Sequence, residues 1–178
     1  LDPDHTGALE MLAQIHERAG HYPEALAYLR RKQKLKNDPG VAFNLGVVYG
    51  EAKRTDEAIS TMQRALAQNP DNANALNYIG YTWAERGERL DEAEKMISRA
   101  IELRPDDGFI VDSLGWVYYM RARPLVHGGR SREARRYLER ALRELERADR
   151  LTGGDPVISE HLGDTYLLLD QKKRALER

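Results

Sequence analysis

Two sets of side chains in this chain have the type and spacing to do chemistry, and for both the chemistry is binding. The first is aromatic: Phe43, Tyr81, Phe109, Trp116 and Tyr119. Such rings bury much apolar area and freeze few rotamers, so on an accessible wall they anchor a protein or peptide. Packed against neighbouring helices, the same rings are plain core. The second set is basic. Ten arginines fall between Arg121 and Arg150. Arg132, Arg135, Arg136, Arg140 and Arg143 form a patch suited to an acidic partner or anionic headgroups. The other reading, and the ordinary one, is the solvated outer face of a long helix. Glu139–Arg143 and Glu146–Arg150 have the four-residue spacing that supports such a helix.

Catalytic and metal chemistry find no comparable support. The histidines are His5, His16, His21, His127 and His161, and no two stand four apart around a Glu. His16 reads as core packing, and His161, with Asp155 and Asp164 nearby in sequence, is a weak metal signal. Gly128-Gly129 and Gly153-Gly154 read as turns, because no strand or Gly-Lys-Ser/Thr run accompanies them. Gly129-Arg130-Ser131 begins a nucleophile elbow, but Glu133 stands where its last Gly belongs. The absence of cysteine excludes disulfides, thiolate catalysis and cysteine-ligated zinc. No catalytic residue, metal ligand or cofactor is therefore assigned. Charged residues make up 32% and hydrophobic residues 41%, the balance of a folded chain. The net charge of -1 argues against nucleic acid as a default partner, and no apolar run is long enough to span a bilayer.

The elements that must position these residues show in a recurring pattern. A large apolar residue is followed by Gly or Ala, an aromatic three residues on, then Ala, then a large apolar four later. It reads Leu45-Gly46, Tyr49, Ala58, Met62 and closes at Pro70. It returns as Ile79-Gly80, Trp83, Ala93, Ile97, closing at Pro105, and as Leu114-Gly115, Tyr118, Ala134, Leu138. A further copy is Leu162-Gly163, Tyr166, Ala175, and a weaker one is Leu12-Ala13, His16, Ala25, Leu29. Small residues let two helices cross closely while the flanking large ones fill the gaps, and proline stops a helix before the next begins. One hairpin cannot bury its apolar face, so hairpins stack. Helices are expected at about 6–19, 22–36, 40–52, 55–68, 73–86, 89–103, 108–127, 131–151, 156–169 and 171–178.

This pattern resembles the tetratricopeptide repeat family over essentially the whole chain. The resemblance implies an all-α, right-handed superhelical solenoid of antiparallel helix hairpins. Its repeats would lie at about 6–38, 39–72, 73–107, 108–155 and, in part, 156–178 of a single array. Ala75-Leu76-Asn77-Tyr78-Ile79-Gly80-Tyr81 and Asp112-Ser113-Leu114-Gly115-Trp116-Val117-Tyr118-Tyr119 also look like stretches of bacterial cell-envelope repeat proteins. Some of those are outer-membrane adaptor lipoproteins, which implies a place on the periplasmic side.

In this family the first helix of each repeat lines the concave wall. Helical periodicity then turns Val47, Tyr81, Trp116 and Asp164 inward. Phe43, Asn77, Asp112 and Glu160 lie one turn before them, and Gly50, Ala84, Tyr119 and Leu167 one turn after. Phe109 should share that face, and Asn44 and Asn77 are placed to hydrogen-bond a partner's backbone. Tyr78, Trp83 and Tyr118 are assigned to packing. Family members that grip a C-terminal carboxylate use basic residues on this wall. Here the corresponding positions are Glu10, Phe43, Asn77 and Asp112, which excludes that mode.

The spacing departs from uniformity once. Gly46 to Gly80 is 34 residues and Gly80 to Gly115 is 35, but Gly115 to Gly163 is 48. The excess is expected to lengthen both arms of the fourth hairpin, half of it within 120–128 and half after Ala141. Each arm would gain about two helical turns, or roughly 10 Å. Pro124 is expected to kink or end the first arm, with a loop over Arg123–Arg130 as the alternative. Leu1-Asp2-Pro3-Asp4 and the stop at Arg178 read as cuts within a longer protein. The function expected is a scaffold or adaptor holding a protein or peptide on its aromatic groove. Self-association into a homo-oligomer, or service as the recognition arm of an enzyme, are the alternatives.

Overall fold

Each helix begins and ends where its local chemistry dictates. Asp107 and Asp155 accept hydrogen bonds from the free N–H groups of residues 109 and 110, and of 157 and 158. Those are N-terminal donors with no partner inside their own helix. Pro39, Pro23 and Pro156 stand in first turns, where the missing N–H costs nothing. At the end of the longest helix Gly153 takes φ +73°, a left-handed turn that favours glycine.

The computed structural model describes residues 4–36 and 39–176, and the chain divides into two compact units, Leu1–Ala75 and Leu76–Arg178. The first holds α1 (Thr6–Arg18), α2 (Tyr22–Leu35), α3 (Pro39–Glu51) and α4 (Thr55–Gln68). α5 (Ala73–Glu85) starts at the division. The second unit continues with α6 (Leu90–Leu103), α7 (Gly108–His127), α8 (Ser131–Thr152), α9 (Pro156–Leu168) and α10 (Lys172–Ala175). The described residues are thus all-α, built of sequential antiparallel hairpins.

Small residues at the crossings hold the arms together as expected. A methyl group on Gly46 would lie 2.6 Å from Met62 Cγ, and one on Gly80 would lie 2.7 Å from Ile97 Cγ1. Gly163 is looser, with Ala175 O at 3.9 Å. In the fourth hairpin the partner differs from the sequence expectation. Gly115 faces Leu145 Cγ at 2.6 Å and Ala141 O at 3.2 Å, not Ala134 and Leu138. The added turns of both arms therefore lie at the hairpin tip, on either side of Gly128–Arg130, and Ala134 and Leu138 are buried inside that extension. The arms do lengthen together, to 20 residues in α7 and 22 in α8 against 13 and 14 in α5 and α6. Pro124 neither ends α7 nor opens a loop. The helix runs through it to His127, and the Pro124 carbonyl accepts a hydrogen bond from Gly128 N at 3.0 Å. Its ring stands exposed in the last turn.

Trp83 and Tyr118 are buried, as packing residues should be. Leu12 is not. It is 38% exposed beside Met11 and Ile15, and His16 is only half-buried, its ring tilted against that of Tyr28. The expected Glu139–Arg143 and Glu146–Arg150 pairs also give way. Glu139 pairs back with Arg135 at 3.0 Å, and Glu146 accepts from the Tyr166 hydroxyl at 2.9 Å.

A polar knot ties α6, α7 and α8. Tyr118 donates to Glu94 at 2.8 Å, Arg140 reaches both, and Arg121 pairs with Glu94 and Asp91. Burial, and then the Glu94 carboxylate that accepts its proton, push the Tyr118 phenol up to about 12. The folded state therefore holds this proton more tightly than the unfolded chain. The stabilisation is complete below about pH 10 and is lost as pH climbs toward 12. Tyr118→Phe is expected to flatten the fall in stability between those two values, read by urea unfolding at successive pH.

Candidate functional site: an aromatic and acidic face of α5, α7 and α9

Helical spacing puts Asp112, Trp116 and Tyr119 on one face of α7, Tyr81 and Glu85 on one face of α5, and Glu160, Asp164 and Leu167 on one face of α9. Trp116 is where the three meet. It is half-buried, and its indole N–H donates to the Glu85 carboxylate on α5. Its ring stacks on His161 of α9, with centroids 4.0 Å apart and planes 21° apart, and on Tyr119 at 4.6 Å. His161 is in turn fixed by Asp112, Nδ1 to Oδ1 at 2.8 Å, in a pair of which both members are buried. The ring thus has a partner on each flanking helix and little freedom to turn.

Tyr81 completes the face. Burial raises its phenol well above the usual range, followed by the charges of Glu85 and Asp112, a hydrogen bond to Glu85, and the charge of Glu160. The Tyr119 phenol is also raised, by burial first and then by Asp164, to which it hydrogen-bonds, with Arg123 opposing. Beside Glu160 and Asp164 lies an open depression of about 540 Å³, walled also by Pro156, Ser159 and Leu167, the last 54% exposed.

The structure sorts the residues named from sequence. Tyr81 and Trp116 share Glu85 as a neighbour and remain partly accessible. Asp112 and Tyr119 were expected at the surface but are buried, 6% and 7% exposed. Asp112 is consumed by His161, and Tyr119 lies under the Trp116 stack, so both support the face from beneath. Asn77 is half-buried, its side-chain oxygen enclosed with no hydrogen-bond partner among the described residues. Phe109 is 60% exposed but opens onto a different depression, about 700 Å³, between the α6–α7 and α8–α9 turns. In the first unit Phe43, Asn44 and Val47 are half-buried. The Asn44 amide donates to Glu10 at 3.4 Å, and Glu10 pairs with the buried Lys32 at 2.8 Å. Asn44 is therefore tied into the wall rather than free to greet a partner.

Of the basic patch, Arg132, Arg136 and Arg140 line a cleft of about 400 Å³ with Tyr137. Arg140 belongs to the polar knot, 3.9 Å over the Tyr118 ring, and Arg135 is paired with Glu139. Arg143 is exposed. Sequence reasoning missed Glu85 and the role of His161. Glu85 was detectable as the residue one turn beyond Tyr81. His161 was not, because it stands one position off the inward register of Glu160 and Asp164. Its partner is Asp112 rather than Asp155, which caps α9. Among the described residues no cluster of three metal-ligating side chains occurs, and no helix is long and apolar enough to cross a membrane.

Hairpins repeated in series, with small residues at each crossing, define an α-helical repeat protein. Residues 8–42 and 43–108 match the tetratricopeptide repeat, so that together the matched segments cover more than half of the chain. The chain belongs to the tetratricopeptide repeat family. Over 72 residues it is 33% identical to the photosystem I assembly protein Ycf3 of Prochlorococcus marinus (strain NATL2A). That match covers 38% of this chain and 42% of the relative, less than half the length of either. The Ycf3 of Synechococcus sp. (strain WH7803) is 31% identical over the same number of residues, with the same coverage. The fold is that of MamA from Desulfovibrio magneticus RS-1, with a TM-score of 0.76, 20% identity, and 97% of this chain and 89% of that one covered. These matches carry the repeat family and its fold. They give no support to the narrower likeness to cell-envelope adaptors.

Proposed function

We propose that this chain is a protein-interaction scaffold whose capture surface in the second unit is the face built on Tyr81 and Trp116. The observation that carries the reading is the tethering of Trp116. A large ring left half-exposed, yet held by Glu85 on one helix and His161 on another, is an anchor whose ordering cost is met before a partner arrives. Membership of a repeat family that typically holds proteins supports it, as does the partial likeness to assembly proteins. The occupant is an extended or helical protein segment.

The test is selection of displayed peptides on the immobilised protein. Peptides so obtained are expected to lose at least about tenfold in affinity to Trp116→Ala and to Tyr81→Ala, with circular dichroism unchanged. Binding that survives both substitutions in a folded protein would remove the assignment. One observation favours a second reading, a scaffold assembled from copies: Met11, Leu12 and Ile15 stand exposed along α1. Molar mass by light scattering across a dilution series separates the two.

A further inference from the structure

The acids of this face are satisfied differently from many others on the molecule. Several carboxylates elsewhere are held by a base: Glu10 by Lys32, Glu57 by Arg54, Glu92 by Arg89, Glu102 by Arg99, Glu94 by Arg121 and Arg140, while Glu146 takes the Tyr166 phenol. On the capture face the donor to Glu85 is uncharged, the indole N–H of Trp116, and Asp164 lies near enough to the Tyr119 phenol for its charge to raise it. Among the described side chains, which do not include those of Lys172 and Lys173, no lysine or arginine pairs with Glu85, Glu160 or Asp164, and Arg123, 5.9 Å from the Tyr119 ring, acts on that ring. Neutral donors orient a carboxylate but leave its charge in place. Glu85 and Glu160 are moreover exposed, on helices to either side of the aromatic pair, and Tyr81 feels both.

From this we infer that the occupant of the capture face is a basic segment of a partner protein. Its apolar side chains contact Tyr81 and Trp116 while its lysine or arginine heads reach Glu85, Glu160 and Asp164. The inference rests on the proposed capture surface and adds the partner's chemistry. The depression of about 540 Å³ suits it, because Leu167 and Pro156 offer apolar surface to an alkyl stem and Glu160 and Asp164 stand at its wall for the charged end. An acidic segment would meet the charges of Glu85, Glu160 and Asp164, a repulsion that discriminates against wrong partners.

Three fluorescein-labelled amphipathic peptides test it, identical except for Arg, Gln or Glu at the polar positions, measured by anisotropy against the full chain. The Arg peptide is expected to bind about tenfold more tightly than the Gln peptide at about 0.02 M NaCl, and the margin is expected to shrink several-fold by about 0.3 M. The Glu85→Gln/Glu160→Gln variant keeps an acceptor for the Trp116 indole and should shrink the margin several-fold, leaving what Asp164 alone sustains, without loss of helicity. A Gln or Glu peptide held as tightly as the Arg peptide overturns the inference, and so does a margin undiminished in the double variant. Trp116→Ala tells the two levels apart. If it weakens Arg and Gln peptides alike while no charge preference appears, the capture surface stands and the basic partner falls. If it weakens neither, both fall.

Discussion

Gly115→Val is expected to lower stability by about 3 kcal/mol, a fall in Tm of roughly 6–12 °C for a chain of this size. The reason is the absence of room at the crossing of α7 and α8. The first added carbon would stand 2.6 Å from Leu145 Cγ, 2.8 Å from Leu145 Cδ2 and 3.2 Å from the Ala141 carbonyl oxygen. Leu145 is completely buried and the carbonyl belongs to a helix backbone, so neither can withdraw cheaply. Leu145→Ala alone is expected to cost a similar amount for the opposite reason, by leaving a cavity. In Gly115→Ala/Leu145→Ala the new methyl enters the space that leucine vacates. The double variant should therefore be more stable than the sum of its singles predicts by at least about 1 kcal/mol. Urea unfolding of the four proteins closes the cycle. Additive losses would mean that the two residues do not meet, and that the crossing lies at Ala134 and Leu138 after all.

His161→Phe should cost about as much, roughly 3 kcal/mol, although a ring is kept against Trp116. The substitution strands Asp112, a buried carboxylate held by the His161 imidazole. A buried polar group without its partner pays its full desolvation cost. If that is the origin of the loss, Asp112→Leu/His161→Phe removes the stranded group and should return to within about 1 kcal/mol of the parent. Denaturant midpoints at neutral pH decide it. A single variant as stable as the parent would show that solvent reaches Asp112. The same pair explains why Asp112 was misjudged. In the helical register it lies one turn before Trp116, on the face turned to a partner, and nothing local distinguishes it from the exposed Glu160.

Much of the architecture was legible because repeat proteins write long-range contacts as local spacing. Gly46 and Gly80 announce a crossing, since only a residue without a side chain leaves 2.6–2.7 Å for the Met62 and Ile97 atoms opposite. The fourth hairpin shows the limit of that code. Chain length shows that both arms are longer, but a crossing partner cannot be counted along a sequence when the insertion lies at the tip. Packing of Leu145 against Gly115 settled the register. Pro124 does not end the arm for a related reason. A proline in the last turn of a long arm forfeits one hydrogen bond, and the buried residues below it, Ala122 and Tyr118, anchor the helix that continues to His127.

From residue types and their periods alone came the family, the hairpins, the approximate helix limits and the choice of Tyr81 and Trp116 as proposed contacts, because each depends on which neighbours a helix brings round every three or four positions. Which of the residues named for the binding wall are buried supports depended on a third helix. Asp112 and Tyr119 disappear into pairs with side chains more than forty positions away, and Glu85 reaches the indole from thirty-one positions back. Burial and charge compensation are sums over neighbours in space, and no local spacing contains them.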